Sequence, residues 1–427
     1  MDRLRDVCED PRSSLQQAAP LANFLSGLTH FSDREPGRGE AFFARDRALA
    51  DALYQDGSHL KPHGLRLFRG DYFPQRIGEV AKNLDLFIKS GRLGLREDFR
   101  GLLPWFRNYG YANPALIKYF SRFINISRDP RLLAYAARNP GEAYEICHCP
   151  TVNGRHTITD YAAHYIQTLW EQRDLPPILQ LSDEHRDRGL DLLQDMGLPR
   201  DAWWVAVHAR TDGYHGERGD ARSIDIETYF GAMDEITKRG GWVFRLGDPS
   251  MPELPEAARV VDMAHSPLKS DWFDLFLVAR ARFCITCTSG MSVLPNLFGT
   301  PQLQTNLQPM FSRPYSRRDL FLPVLLRRKE GGALVPLAPL EGTLISVDGS
   351  ACARAGVELV RNSREDIRRA TLDMIAFVEN GFECEVNGDA SVLDAVSLMR
   401  YDLVSSRPCP SFLERYSDLV RETASIL

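Results

Sequence analysis

The sequence lacks the features of several large protein classes. No stretch approaches the ~18 consecutive apolar residues of a membrane-spanning helix, and the mean hydropathy is −0.29. The first fourteen residues are charged from Asp2 onward, so no secretory signal peptide is predicted. With 52 Lys and Arg against 57 Asp and Glu, the net charge is −5 and there is no basic run, which disfavours nucleic-acid binding. We expect a cytoplasmic protein, free or peripheral to the inner face of the membrane.

The eight cysteines have no spacing typical of a disulfide framework or a metal site. Cys284 and Cys287 have the spacing of half a zinc site, but no second pair lies nearby. They also lie in an apolar, strand-like run, in which alternation places residues three apart on opposite faces. Cys147-His148-Cys149 is likewise an isolated cluster. We expect no bound metal and treat the cysteines as small buried apolar residues.

Several phosphate and catalytic motifs are also missing. The chain has no Gly-x-Gly-x-x-Gly, no Gly-x-x-x-x-Gly-Lys loop and no Gly-x-Ser-x-Gly turn, which disfavours dinucleotide oxidoreductases, P-loop nucleotidases and α/β-hydrolases. It also has no Asp-x-Asp pair to hold a divalent ion against a diphosphate. The charge of a diphosphate would then be met by arginine and a helix dipole.

The length and composition predict a globular protein of two to three domains, and the alternation of strands with helices predicts the α/β class. The chain has 427 residues, of which 44% are hydrophobic and 26% charged, as in ordinary globular proteins. Two regions alternate strands with helices, so we predict two Rossmann-like domains facing a cleft. The predicted parts are a helix-and-loop extension over 1–60, a helix-rich first domain over 61–198, a nucleotide-binding domain over 199–360, and helices over 361–427 that pack back on the domains.

The first domain contains one clear βα unit. A strand is predicted between residues 63 and 72, and a helix opens at Arg76-Ile77-Gly78 with apolar residues at helical spacing. In the second domain, the apolar run over 203–210 reads as a buried parallel strand. Further strands are predicted within 241–248, 258–265 and 282–290 and from residue 300, with helices at 224–240, 270–281, 293–298 and 361–381.

Polar clusters follow three of these strands. Because the carboxyl ends of parallel strands share one edge of the sheet, the clusters should lie close together. Arginine forks and free N–H groups at a helix start are what a diphosphate requires. The alternative is that Arg210 and Arg245 are surface residues paired with Asp212 and Asp248. The clusters are His208 to Tyr214, Arg245 to Asp248, and Thr286 to Gly290.

The segments HARTDGY, DARSIDIETYF, GGWVFRLGDPSM and DLFLVARARFCITCTSGMSVLPNLFGTP resemble bacterial glycosyltransferases distantly similar to the fucosyltransferase superfamily. The resemblance is dense over 203–306. It implies two Rossmann-like domains (the GT-B fold) and inversion at the sugar. It also implies that Arg210 contacts the donor diphosphate, and that Thr288, Ser289 and Gly290 form the turn before the nucleotide-binding helix. The turn reads Arg-Thr-Asp-Gly where the superfamily has Arg-x-Gly-Asp, so a GDP-linked donor is one candidate among several.

The predicted function is metal-independent transfer of a sugar from a nucleoside diphosphate to a hydroxyl of a glycan, glycolipid or small molecule. No cofactor is expected beyond this co-substrate. Alternatives are a nucleotide-sugar epimerase and a non-catalytic nucleotide-sugar-binding protein. Asp225 is expected to cap a helix, and Asp262 or Asp274 could serve the base or ribose. The catalytic candidates are Arg210, with Asp212 and Glu79 as bases and His208 or His215 as further options. The predicted donor-binding residues are His208, Arg210, Arg222, Arg245, Asp248, Thr288, Ser289, Gly290 and Gly78.

Overall fold

The chain forms two compact units, residues 1–148 and 149–427, in a computed structural model. Each unit is described by itself. Within the described residues, no helix combines the length and the apolar character needed to cross a membrane. The predicted extension over residues 1–60 lies outside the described residues. The structure describes residues 64–68, 73–104, 111–127, 144, 146, 151–152, 155–156, 159–211, 222–308, 312–335, 352, 356–383 and 406–420.

The first unit contains a small parallel sheet in the order β1-β2-β3. The predicted βα unit is confirmed: strand β1 is followed by helix α1, which begins after Arg76 and places Leu84 and Phe87 in the core. Asn113 caps helix α2, since its side chain accepts a hydrogen bond from the backbone N–H of Leu116 at 2.7 Å. The elements are β1 Leu65–Leu67, α1 Ile77–Arg92, β2 Arg100–Pro104, α2 Pro114–Phe120 and β3 Asn125–Ser127.

The second unit is built on a parallel sheet, as the alternation of strands and helices predicts. It begins with a two-stranded antiparallel ribbon and two helices, and all four residues of strand β6 are buried. Its elements are β4 Thr151–Val152, β5 Arg155–His156, α3 Thr159–Gln172, α4 Asp183–Asp195, β6 Trp204–Val207, α5 Phe230–Lys238, β7 Trp242–Arg245, β8 Val260–Asp262, α6 Asp271–Arg280, β9 Phe283–Cys287, α7 Leu294–Phe298, β10 Gln302–Leu307, β11 Leu320–Pro323, β12 Leu325–Arg328, β13 Leu334–Val335, β14 Val357–Val360, α8 Arg364–Glu379, β15 Arg407–Pro408 and α9 Pro410–Arg415.

Seven described strands of this unit form one sheet in the order β15-β11-β10-β9-β6-β7-β8, all parallel. The chain starts in the middle at β6, runs outward through β7 to β8, and returns through α6 to β9 on the other side of β6. Its first six strands have the order of a Rossmann sheet, β8-β7-β6-β9-β10-β11. The side to which the chain adds successive strands switches between β6 and β9. The α/β class and the doubly wound second sheet are therefore confirmed.

Helices cover the sheet on both faces. Helix α5 packs against α8, and α8 packs against α9. Helix α6 belongs to a second group of helices and packs against α4 and α7. Ser363 and Asp366 form a capping box at the start of α8, which stabilises the helix end next to the sheet. Helix α7 ends at Gly299, whose φ of 72° is accessible to glycine at low cost. A small antiparallel sheet in the order β13-β12-β14 precedes α8.

The contact between α4 and α6 gives a stability prediction. A Cβ atom at Gly189 would lie 2.4 Å from the ring of Phe276, which is fully buried. We expect Gly189→Ala to lower the free energy of unfolding by about 1–3 kcal/mol through overpacking, although alanine normally favours a helix over glycine. Urea denaturation measures this change.

The matched control is Gly231→Ala in helix α5. A Cβ atom there would lie 3.2 Å from Cγ of Arg364 and 3.3 Å from Cβ of Arg368, so these neighbours need to shift by only a few tenths of an ångström. We expect an unchanged stability or a gain of up to ~1 kcal/mol. Equal effects of the two substitutions would contradict the packing argument.

Candidate functional site at the carboxyl edge of the second sheet

The candidate site lies between β6 and β9, where the strand order in the sheet of the second unit switches from one side to the other. Strands β6 and β9 are neighbours and parallel, with Val207 opposite Ile285. The chain leaves them toward opposite sides, so the connections diverge and leave a crevice at the carboxyl edge. In open α/β sheets this crevice is where ligands bind. Two of the predicted clusters, His208 onward and Thr288 onward, follow these two strands directly.

Hydrogen bonds hold the three strand ends together. The backbone N–H of His208 donates to the carbonyl of Ile285 at 2.9 Å, and that of Leu246 donates to the carbonyl of Val207 at 2.8 Å. The backbone N–H of Arg210 donates to Sγ of Cys287 at 3.2 Å. The three polar clusters that the sequence analysis singled out therefore share one edge of the sheet.

His208 is held as a neutral imidazole at this edge. Its Nδ1 lies 3.1 Å from the carbonyl oxygen of Leu246, which can only accept, so Nδ1 carries the proton and donates it. The residue is buried, and burial lowers the pKa of His208 to about 4, with smaller contributions in the same direction from Arg210 and Arg245. A neutral imidazole leaves the positive charge of the edge to the arginines.

Arg210 and Arg222 are near each other at the end of β9. The segment after Arg222 returns alongside Arg210, because the N–H of Ile224 donates to the carbonyl of Arg210 at 2.8 Å. Both guanidinium groups act on the thiol of Cys287: burial raises the pKa of that thiol, and the two arginines oppose this shift. The backbone bonds therefore bring Arg210 and the segment that follows Arg222 together beside the crevice between β6 and β9.

The hydroxyl groups after β9 are partly occupied within the protein. The Oγ1 of Thr288 accepts from the backbone N–H of Gln308 at 3.2 Å and donates to the carbonyl of Asn306 at 3.4 Å. Ser289 lies next to the Cys287 thiol and precedes a short 3-10 turn, Gly290–Val293, that leads into α7. Thr288 therefore joins the ends of β9 and β10, and Ser289 and Gly290 are the members of this cluster nearest the turn.

The side chain of Arg245 is committed to the protein interior. The whole residue is 1% exposed, and its Nη2 donates to Oδ2 of Asp262 at 3.0 Å and to the carbonyl of Pro252. Asp248, predicted as its partner in the alternative reading, instead accepts from the backbone N–H of Ser250 at 2.9 Å. Both residues therefore bond within the connection after β7, and the charge of Arg245 is paired with that of Asp262.

The remaining predicted residues belong to other elements or lie outside the described residues. Glu79 and Gly78 are in the first turn of α1 in the first unit, where Oε2 of Glu79 accepts from Nδ2 of Asn83 at 3.0 Å. Asp274 is buried in α6 and pairs with Lys269 at 2.5 Å. Asp212, His215 and the Cys147-His148-Cys149 cluster fall outside the described residues.

An open cleft of about 1110 Å³ lies at the carboxyl edge, beside the ends of β6 and β7. Asp225 caps the helical segment at its rim, as predicted, by accepting from the N–H of Glu227 at 3.0 Å. The Oγ of Ser223 is buried and has no hydrogen-bond partner among the described residues. The lining residues are Thr211, Ser223, Ile224, Asp225, Ile226, Glu227, Phe230, Ser250, Pro252, Glu253, Leu254, Pro255 and Arg361.

Sequence reasoning missed Arg361 and the acidic rim of this cleft. Arg361 follows β14 and precedes the cap of α8, so it reaches the cleft from a segment far along the chain. Its only sequence signal is its place before Asn362-Ser363. Glu227 lies at the predicted start of a helix and Glu253 lies in a proline-rich loop, so neither position indicates a binding residue in the sequence.

Comparisons with known proteins give little beyond this geometry. No protein-family model matches the chain, and no curated protein matches it. One solved structure similar to it is a glycosyl transferase of family 9 from Veillonella parvula, with a TM-score of 0.31 and 10% identity over 72% of this chain and 80% of that chain. A likeness of this size establishes neither the fold nor the activity of this chain.

Proposed function

We propose that this protein is a glycosyltransferase that binds a nucleoside-diphosphate sugar at the carboxyl edge of its second sheet. The observation that carries the proposal is the position of Arg210 and Arg222 at the point where the sheet changes direction between β6 and β9. Arginine binds a diphosphate through paired N–H groups and keeps its charge at any physiological pH.

The proposed reaction is transfer to a hydroxyl acceptor. The acceptor oxygen forms a bond to the anomeric carbon, and the bond from that carbon to the diphosphate oxygen breaks. The leaving diphosphate keeps the electron pair, and its charge is stabilised by Arg210 and Arg222. The acceptor proton passes to a base, for which Asp212 and Glu79 are the candidates. Inversion at the anomeric carbon is proposed from the sequence resemblance alone.

The environment of His208 supports an anion site. Burial keeps its imidazole neutral near neutral pH, and Arg210 and Arg245 lower its pKa further, which is the effect of a positive potential that also attracts an anion. Thr288 and Asp248 support the edge by joining strand ends and turns. We propose that Arg210, Arg222, Ser289 and Gly290 are the groups closest to the diphosphate.

Calorimetric titration with GDP, UDP, CMP and TDP, followed by their sugars, tests the proposal. We expect micromolar to millimolar binding of at least one nucleoside diphosphate, in the range typical of enzyme substrates. Sugar transfer or donor hydrolysis should persist in EDTA, because the proposed charge stabilisation comes from arginine.

Several outcomes would contradict this assignment. Absence of binding to every nucleotide would reject it, and loss of activity in EDTA that manganese restores would reject the metal-independent mechanism. Binding without turnover would favour a non-catalytic binding protein. Conversion of the donor into its epimer, detected by product analysis, would favour the epimerase.

A further inference from the structure

The connection between β7 and β8 forms one wall of the cleft without any regular secondary structure. Residues 246–259, all of which are described, contain turns but no helix or strand. Five of them line the cleft: Ser250, Pro252, Glu253, Leu254 and Pro255. Because no helix or sheet ladder fixes this wall, side-chain contacts must hold it in place.

Two charged side chains supply several of those contacts, in addition to His265, whose Nε2 lies 2.8 Å from the carbonyl oxygen of Met251. Nη2 of Arg245 donates to the carbonyl of Pro252 and to Oδ2 of Asp262. The same carboxylate oxygen accepts from the backbone N–H of Leu254 at 3.0 Å, and Oδ1 accepts from the N–H of Ala264 at 3.2 Å. Arg245 and Asp262 therefore bond two wall residues, Pro252 and Leu254, from the ends of neighbouring strands.

A gain in stability does not explain why this ion pair is buried. The side chains of Arg245 and Asp262 are 2% and 15% exposed. Burial lowers the pKa of Arg245, while Asp262 and Asp248 oppose that shift. A buried ion pair is commonly no more stabilising than apolar residues of the same volume. What apolar residues cannot do is bond the carbonyl of Pro252 and the N–H of Leu254 in one geometry.

We propose that Arg245 and Asp262 are a positioning pair that fixes the wall of the cleft against the uncharged nucleoside part of the donor. This inference rests on the proposed function. It reassigns Arg245 from a contact with the diphosphate to a role exerted through the wall. The pair determines how tightly the nucleoside is held and leaves the diphosphate to Arg210.

The charges of the cleft support this division. Glu253 on the wall, and Asp225 and Glu227 opposite it, give the cleft three carboxylates against the single cation Arg361 among its lining residues. Carboxylates repel phosphate but accept hydrogen bonds from ribose hydroxyls and from N–H groups of a base. Pro252 and Leu254 add apolar surface to the same wall.

Asp262→Asn tests the pair, because it keeps the volume and removes the charge. We expect GDP or UDP, whichever the unaltered chain binds, to bind about 10-fold more weakly, since the wall must be ordered on binding. Inorganic pyrophosphate should bind within about two-fold of the unaltered chain, because it needs only the arginines near β6 and β9. Calorimetry measures both.

Glu235→Gln is the matched control, since Glu235 in helix α5 is a carboxylate of similar exposure, 14%, that pairs with Arg368 of helix α8 at 3.1 Å. We expect it to leave both ligands within about two-fold. Arg245→Lys keeps the positive charge, and its single ammonium nitrogen can take the place of Nη2 in both bonds, so it should give a smaller loss for the nucleotide. Equal weakening of nucleotide and pyrophosphate by Asp262→Asn, or no weakening of either, would overturn the proposal.

Hydrogen exchange gives a readout that needs no ligand. Amides of residues 248–259 should exchange faster in Asp262→Asn than in Glu235→Gln, while amides of β6 and β9 stay unchanged. Unchanged exchange in the wall would overturn the positioning role. If the unaltered chain binds no nucleotide, the proposed function fails, and faster exchange would still show that the pair holds the wall.

Discussion

Replacement of Arg210 by alanine is expected to weaken nucleoside-diphosphate binding by roughly 10- to 150-fold. The loss corresponds to one charge-assisted contact of about 1.5–3 kcal/mol. The backbone N–H of Arg210 bonds Cys287 and its carbonyl accepts from Ile224, and both bonds survive the substitution. The effect should therefore fall on the ligand and leave the sheet intact. Calorimetric titration with the nucleotide that binds most tightly measures it.

Arg280→Ala is the matched control, because Arg280 is an exposed arginine in the last turn of α6. It removes the same charge from the protein without touching the crevice, and we expect affinity within about two-fold of the unaltered chain. Circular dichroism checks that both variants fold. An Arg210→Ala protein that is folded and binds as tightly as the control would remove Arg210 from the site.

The second large effect is on acid stability. The folded-state pKa of His208, about 4, lies below the ~6.5 of an unfolded histidine. The unfolded chain therefore binds more protons between these two values, and stability is lost as the pH falls from about 6.5 to 4. We expect His208 to account for about 2 kcal/mol of lost unfolding free energy at pH 5, approaching ~3 kcal/mol near pH 4.

Urea denaturation of the unaltered chain and of His208→Asn, between pH 8 and pH 4.5, separates this contribution from others. Asparagine can still donate to the carbonyl of Leu246 and does not titrate. Burial raises the pKa of Asp319 to about 8, which removes stability as the pH rises, but that effect is common to both proteins. The difference between them should be constant above about pH 7 and shrink below it. A constant difference at every pH would mean that His208 is not held neutral by burial.

Local sequence patterns predict much of the fold. Strands β6 and β9 are continuous apolar runs because parallel strands are covered on both faces. Helix α8 could be placed by its Ser363 cap, and the end of α7 by Gly299. Such features depend on neighbours within a few residues, so the sequence carries them directly.

Other features depend on which distant segments meet. The partner of Arg245 is Asp262, seventeen positions along the chain, and the two meet only because β7 and β8 pair in parallel. Arg361 reaches the cleft because β14 leads into α8 beside the main sheet. Spacing along the sequence holds no signal for either contact. Asp212 is likewise predicted as a base only from its place after a strand end.

The place of β15 at the edge of the main sheet has a consequence for synthesis on the ribosome. Arg407 and Pro408 pair with β11, and the helix that follows packs on α8. The nascent chain therefore cannot complete this sheet until Pro408 has left the exit tunnel, and β11 is an open edge until then. Truncation before residue 407 would leave that edge permanently uncovered, so such fragments should accumulate as aggregates when expressed.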